Sequence, residues 1–287
     1  MVHIFHKGKF YKCPENWNEL TQKQLVKIMP VLASHEDSQK ARILLFKILT
    51  GWGWWKIVTI CGFHRMKYID KVAQRRFIPA AFGRYIDNTE RLSMAVDTTT
   101  EFLLASNTLT IQLIPNYKGF YGPSSSLANL KMGEFCFTEF YFTEWKQSGN
   151  ISNLNNLIAT LYRPGIKTAN KADSRVAFDP ANTPLFAKKI DAWPIAVKLA
   201  IEAFYDGARD AKIEANKHVF DYDTGEESTS LHGLWSVMRS VAKAGHFGKF
   251  DDVANEYVDT ILMELAESIA EYEKHKAELE ANKHTHQ

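Results

Sequence analysis

The stretch SLANLKMGEFCFTEFYFTEWKQSGNISNLNNLIATLYRP, Ser126 to Pro164, decides the fold. It reads as two helices joined by a turn. The first spans about Met132 to Gln147. Its apolar positions, Phe135, Cys136, Phe137, Phe140, Tyr141, Phe142 and Trp145, cover more than half of the helix circumference, so burial on two sides is expected. Gly149 supplies the stop. Asn150 or Ser152 can cap the second helix, whose Leu154, Leu157, Ile158 and Leu161 follow at i, i+3, i+4 and i+7. Pro164 and Gly165 end it. A connection this short makes the pair an antiparallel helical hairpin. The cation of Arg163 is placed to meet the last carbonyls of its helix, a structural duty.

Outward on the C-terminal side, residues 165–185 are polar with two prolines and read as a long excursion loop. Pro194 suits the first turn of a new helix. That helix carries Ala196, Leu199, Ala200, Ala203 and Phe204, is interrupted at Gly207, and resumes as a second piece to Val219. Asp221 to Ser230 is a linker by composition. A helix from Leu231 to Lys243 follows, and then an acidic last helix capped by Asp251 or Asp252. Its stripe is Val258, Ile261, Leu262, Leu265 and Ile269. Beyond Tyr272 the pattern turns polar, so that end projects into water or sits in an oligomer.

On the N-terminal side, Val2 to Lys12 reads as a small β-hairpin turning at Lys7-Gly8-Lys9. Thr21 with Gln24 is a capping-box pattern ahead of Leu25, Ile28, Met29 and Leu32, with Pro30 kinking that helix or ending it early. A second helix spans Asp37 or Ser38 to Thr50, and Gly51 stops it. In GWGWWKIVTICGF, Trp52, Trp54 and Trp55 alternate like a strand edge or a loop plug, serving either as binding anchors or as packing beneath a loop. The next segment is helical in composition and broken at Pro79. It holds Arg65, Lys67, Lys71, Arg75, Arg76, Arg84 and Arg91 against Asp70, Asp87 and Glu90. It is either a binding face for nucleic acid or an acidic partner, or a solvated helix face. The alternating run TLTIQLI, Thr108 to Ile114, and the turn at Gly119 predict one or two short strands near 108–121. The loop Gly122 to Ser126 is the natural boundary.

The fold class is therefore mainly α: a helical, bundle-like core with a small N-terminal β-hairpin and one or two short strands. The expected organisation is an N-terminal segment, 1–125, and a helical domain, 126–287, or one continuous domain.

Composition limits the function. The 287 residues are 45% hydrophobic and 24% charged, an ordinary globular balance. Aromatic residues reach 13%, a surplus that suits large cores or interfaces. Net charge is only +2, but it is unevenly spread, with ten acidic residues against Lys274 and Lys276 between Asp251 and Asn282. Such asymmetry serves contacts between subunits or with a partner of opposite sign. Cys13, Cys61 and Cys136 are odd in number and far apart, which suggests reduced buried thiols and neither a disulfide framework nor a zinc site. The N-terminus lacks the apolar core of a signal peptide, and no run approaches a membrane span. Phosphate-loop, dinucleotide, nucleophile-elbow, HExxH and EF-hand patterns are absent. The histidines are scattered. Glu139 and Glu144, five residues apart on a helix, point about 140° from each other and do not converge as an acid and a base. No catalytic, cofactor-binding or metal-binding residue is expected, and the chain reads as no enzyme.

Three motifs carry a resemblance: Tyr121-Gly122-Pro123, Gly133-Glu134-Phe135 and Leu161-Tyr162-Arg163-Pro164. With the opening NWNELTQKQL, Asn16 to Leu25, and the closing AGHFGKFDDV before the last helix, the chain resembles a group of uncharacterised proteins encoded by bacteriophages and prophages of Bacteroidota. Lys131 stands where that pattern has a capping Thr or Ser. The resemblance implies a virion or assembly role in the tail or head–tail region, with other phage proteins or further copies of itself as partners. It implies the host cytoplasm during assembly, or the virion, as the location. It carries over no catalytic residues. The alternative is a nucleic-acid-binding protein using 65–91.

Overall fold

The computed structural model describes residues 2–6, 9–34, 39–61, 85–87, 92–166, 173–220, 231–245 and 247–285. The chain is mainly α-helical and forms two compact units. The first comprises Met1–Leu109 and Pro194–Gly207, the second Thr110–Trp193 and Ala208–Gln287. The boundary expected at 125 thus falls inside the second unit. Hydrogen bonds explain this: Ser126 donates its backbone N–H to Thr110 O at 2.7 Å, and Gln112 donates to Ser125 Oγ at 3.0 Å.

In the first unit, strands β1 (Val2–His6) and β2 (Lys9–Cys13) form the expected antiparallel hairpin. A third strand, β3 (Tyr85–Asp87), pairs parallel to β1, with His3 opposite Tyr85. Parallel pairing demands a long crossover, and the helices between β2 and β3 supply it. Tyr85–Asp87 lies within the segment read above as helical, so these three residues are a correction. Residues 65–84 and 88–91 of that segment lie outside the described residues.

Helix α1 (Gln22–Ala33) starts at the predicted capping box. Thr21 Oγ1 accepts from the Gln24 backbone, and Gln24 Oε1 accepts from the Thr21 backbone at 2.9 Å. Pro30 is carried inside the helix, which ends three residues later. Helix α2 (Gln39–Thr50) stops at Gly51, whose φ is 67°. The next element corrects the reading of the tryptophans: α3 (Trp54–Cys61) is a helix and not a strand edge. Helix α4 (Leu92–Leu104) packs on α2. Cys13, Ile43, Phe46, Trp52, Ile57 and Val96 make the core here.

The second unit is built on the helical hairpin. The strands near 108–121 are β4 (Asn116–Tyr117) and β5 (Phe120–Tyr121), joined by Lys118 and Gly119, both at positive φ as a tight hairpin needs. Thr108 to Ile114 forms no ladder despite its alternation. Helix α5 (Met132–Ser148) ends at left-handed Gly149, and Asn150 caps α6 (Ile151–Leu161) by accepting from Ser152. Helix α5 meets helices on several sides, as its apolar circumference required. Its neighbours are α6, α10 (Leu231–Ala244), α11 (Phe250–Asn255) and α12 (Val258–Thr285). Strand β6 (Arg163–Pro164) adds to β5. The excursion loop is shorter than expected, because α7 (Thr183–Asp191) occupies its end and packs on α6.

Two more expectations change. Helix α8 (Ile195–Ala215) is continuous through Gly207 and is followed by the short α9 (Lys217–Phe220). A Cβ at Gly207 would lie 2.6 Å from Leu109 N, so this glycine serves close backbone approach and not a break. The single acidic last helix is in fact two, α11 and α12. Between them Tyr257 bridges to Lys131: Met132 donates to Glu256 O at 2.8 Å and Val258 to Leu130 O at 3.0 Å. Lys131 Nζ also donates to Asn255 O at 2.6 Å. Lys131 therefore holds the start of the last helix, while its side chain makes no cap for α5.

Candidate functional site

Of the residues singled out for interaction, Arg65, Lys67, Lys71, Arg75, Arg76 and Arg84 lie outside the described residues. The three tryptophans are described, and the fold separates them. Trp52 packs edge-on against Tyr11 and Phe46, at centroid distances of 5.1 and 5.7 Å. Lys56 Nζ sits 3.6 Å from the Tyr11 ring centre and 4.1 Å from that of Trp52. Trp52 is core. Because α3 begins at Trp54, the next two indoles turn outward: Trp54 is 51% exposed and Trp55 84%. Lys47 Nζ lies 4.4 Å over the Trp54 ring. This pair of exposed indoles beside a cation is the first candidate surface.

The densest chemistry lies in the second unit and was missed from the sequence. Glu134, in the first turn of α5, is 1% exposed. Its Oε1 accepts from Arg163 Nη1 at 2.7 Å and from Arg175 Nη1 at 2.6 Å. The Arg163 side chain is 3% exposed and that of Arg175 0%. Arg175 also forks onto Asp173, with Nη2 donating to Oδ2 at 2.7 Å, and donates to Leu161 O at 2.9 Å. Arg163 Nη1 donates to Thr160 O, the carbonyl-capping role expected of it, and its Nε to Val176 O at 2.7 Å. Two cations thus meet two carboxylates, and the remaining N–H groups find carbonyls, which is what buried charge requires.

Burial pushes the Arg163 guanidinium down from its ordinary value, against the opposing pull of Glu134. Burial acts on Arg175 in the same sense, but Glu134 and Asp173 outweigh it and its value rises. The opposite directions follow from the count of neighbours: Arg175 touches two carboxylates, whereas Arg163 touches one and feels the charge of Arg175. Burial raises the Asp173 carboxyl, yet hydrogen bonds and charge from Arg175 hold it below the usual aspartate value.

The motifs of the resemblance meet in this region. A Cβ at Gly122 would lie 2.5 Å from Tyr162 Cζ, so only glycine admits that buried ring. The Tyr162 hydroxyl donates to Ile114 O at 2.6 Å, and Glu134 and Arg163 form the ion pair above. The other buried carboxylate, Glu139, is held by Arg209, whose Nε donates to Oε1 at 2.7 Å. Burial pushes the Cys13 and Cys136 thiols up to about 12, which leaves them inert at neutral pH. The Cys61 side chain lies outside what is described. An open groove by α2 and α4 is lined by Arg42, Asp97, Thr98 and Glu101, with Arg42 and Asp97 paired at 3.2 Å.

The second candidate surface is the end of α12. This helix has 28 residues, about 42 Å at 1.5 Å per residue. Its start is packed, with Val258, Ile261 and Leu262 buried. Every residue from 271 to 279 is exposed. A helix packed along a protein body buries one stripe per turn, and 271–279 buries none. Tyr272 and Leu279, 59% and 55% exposed, share one face two turns apart.

Compared with protein-family models, curated proteins and solved structures, the chain matches none. Among the described residues, no group of three or more His, Cys, Asp or Glu is placed to hold a metal ion. No helix among them is long and apolar enough to cross a membrane.

Proposed function

We propose that the protein is a non-enzymatic bacteriophage structural or assembly protein, a tail assembly chaperone or a head–tail connector or ring component, acting through protein–protein contacts. The observation that carries this reading is the end of α12, nine consecutive residues exposed on all sides of an ordered helix. A stretch of helix that buries no stripe is a surface on which another protein can seat. The interior supports the reading too. Glu134, Glu139, Arg163 and Arg175 are engaged with one another or with Arg209 and Asp173, in duties of the fold. The setting we propose, the host cytoplasm during assembly or the particle itself, rests on the resemblance of these motifs to phage-encoded proteins.

Co-expression with the proteins encoded beside it, followed by light scattering on the eluted species, tests the reading. A stable complex with a neighbouring structural protein, or a defined oligomer, is expected. A chain that stays alone with every neighbour overturns it. The competing reading, nucleic acid on segment 65–91, draws on the charge of the first unit, seventeen basic residues against eleven acidic. It predicts affinity for DNA or RNA that falls steeply with salt. It ends if Arg75→Glu with Arg76→Glu leaves binding untouched.

A further inference from the structure

We infer that residues 173–178 are a detachable strap over a binding site for the arginine of an extended peptide, a site that the chain fills here with its own Arg175. Three observations carry it. The first is where the strap lies. It runs outside the helices, with Ser174 and Ala177 exposed and the Arg175 side chain turned inward and wholly buried. Backbone pairing fastens it on either side of Arg175: Ile166 donates to Ser174 O at 2.8 Å and Val176 to Pro164 O at 2.9 Å. Phe178 rests against Phe137 at a centroid distance of 5.5 Å, with the Arg163 guanidinium 5.7 Å from its ring centre. The strap thus closes the socket from the solvent side, and water enters when it lifts.

The second is how the charges divide. Arg175 forks onto Asp173 of the same strap, Nε to Oδ1 at 2.9 Å and Nη2 to Oδ2 at 2.7 Å. Arg163 forks onto Glu134 of the hairpin, Nη1 to Oε1 at 2.7 Å and Nη2 to Oε2 at 3.3 Å. Lifting the strap therefore splits the cluster into two neutral pairs. Removing one partner of a buried pair strands a charge, whereas a segment that leaves with its own counter-ion does not. The Leu161 and Asn129 carbonyls, which accept from Arg175 at 2.9 and 3.3 Å, pass from its N–H groups to water.

The third is the chemistry of the socket. The Glu134 carboxylate and the Leu161 and Asn129 carbonyls together accept a planar fork of N–H groups. A guanidinium fits this arrangement, whereas the point charge of a lysine cannot span it. The pairing of 174 and 176 with the chain around Pro164 extends β6 by one more strand, the way in which an extended peptide adds to a sheet edge. The ligand class is therefore an extended segment with an inward arginine and a carboxylate two residues before it. Phe137 receives an apolar residue three positions after that arginine, as it does Phe178.

Amide hydrogen exchange, followed by NMR on the full chain, is the test. In the wild type the Ile166 and Val176 amides are expected to exchange about a hundredfold faster than the buried α6 amides of Ile158 and Leu161, or more, because they open locally. Low urea should accelerate the α6 amides and leave the strap amides nearly unchanged, since a local opening exposes little surface. Strap amides that exchange at the α6 rate with the α6 urea slope overturn the inference. A blocked DSRV peptide, the sequence of 173–176, is then added in millimolar excess, with a DSKV peptide of equal charge beside it. The DSRV peptide binds the open state, so it should accelerate exchange at Val176 and leave the α6 amides no faster; DSKV should do neither. An equal effect of both peptides, or none from either, overturns the arginine site. Arg175→Ala frees the socket while leaving Glu134 paired with Arg163, and fluorescently labelled DSRV should bind this variant about tenfold more tightly than wild type, or more. Protection of the α6 amides shows that the variant is folded, and the wild-type measurements decide the matter without it. All of these read the chain alone, so they stand apart from the assembly reading, which rises or falls with complexes formed by neighbouring proteins.

Discussion

Glu134 and Glu273 are both glutamates on helices of the second unit, and they differ in nearly everything else. Glu134 is 1% exposed and held by two arginines, whereas Glu273 lies in the run where every residue is exposed. The first is fixed by its surroundings, with both arginines seated on its carboxylate. The second is solvated, contributes little to the fold, and is open to whatever approaches. The contrast separates two uses of charge within one unit. Inside, charge ties the α5–α6 hairpin to the segment 173–176; outside, it lines an exposed helix end.

Removing the interior charge should break the contrast most visibly. Glu134→Ala leaves the guanidinium groups of Arg163 and Arg175 buried with one carboxylate fewer. Breaking a buried ion pair by deleting one partner costs about 3–5 kcal/mol. Urea denaturation is expected to show a loss of that size. A loss under about 1 kcal/mol, the range of surface pairs, would mean that water already reaches the cluster.

Next in size is Tyr162→Phe. The hydroxyl donates to Ile114 O at 2.6 Å and lies 3.1 Å from Gln112 Oε1, and the ring is wholly buried. Deleting it strands a buried carbonyl, which costs about 1–3 kcal/mol. The change should appear in the same denaturation experiment without altering the slope against urea. A changed slope would point instead to altered compactness.

The legibility of this interior was uneven, for a physical reason. The hairpin, Gly149, the Asn150 cap and the Thr21–Gln24 capping box are local: their signals sit within five residues of what they specify. Glu134 and Arg175 are 41 residues apart, and no spacing rule joins them. One signal was present, since a glutamate beside Phe135 and Cys136 on a helix buried on several sides demands a cation. Arg163 was recognised for its carbonyls but not for that carboxylate. Gly207 misled because a glycine within a helix reads as a break, when the need for it comes from Leu109. Pro184, at the first turn of α7, marked a helix start inside what read as loop. The outward turn of Trp54 and Trp55 depended on a helix starting where two glycines suggested a loop.

Acid distinguishes the edge of the cluster from its centre. Asp173, with its side chain 28% exposed, has its folded value held below the unfolded one chiefly by Arg175. A depressed carboxyl contributes stability that is complete above the ordinary value, about 3.9, and is lost as pH falls through the folded value. Asp173→Asn should therefore be less stable than wild type at neutral pH, and the gap should narrow below about pH 4. Urea midpoints across an acid series read this directly. A gap that stays constant to the lowest pH would show that the geometry of Asp173, and not its charge, does the holding.

The smallest expected effect is at the other pole. Glu273→Gln, or Glu273→Ala, changes a side chain among neighbours that are all exposed. Substitutions of this kind usually stay within about 0.5 kcal/mol. Helix propensity and the nearby Lys274 and Lys276 leave little else for Glu273 to influence within the chain. Thermal unfolding should therefore match the wild type. A destabilisation like that of Glu134→Ala would mean that the end of α12 is packed in solution, either on another copy or on its own unit. Repeating the measurement over a range of protein concentrations separates these: a midpoint that rises with concentration belongs to association, because mass action stabilises only what binds in the folded state. An unchanged midpoint at high salt, where exposed charges are screened, leaves Glu273 with no duty in the fold and its value confined to what it meets outside.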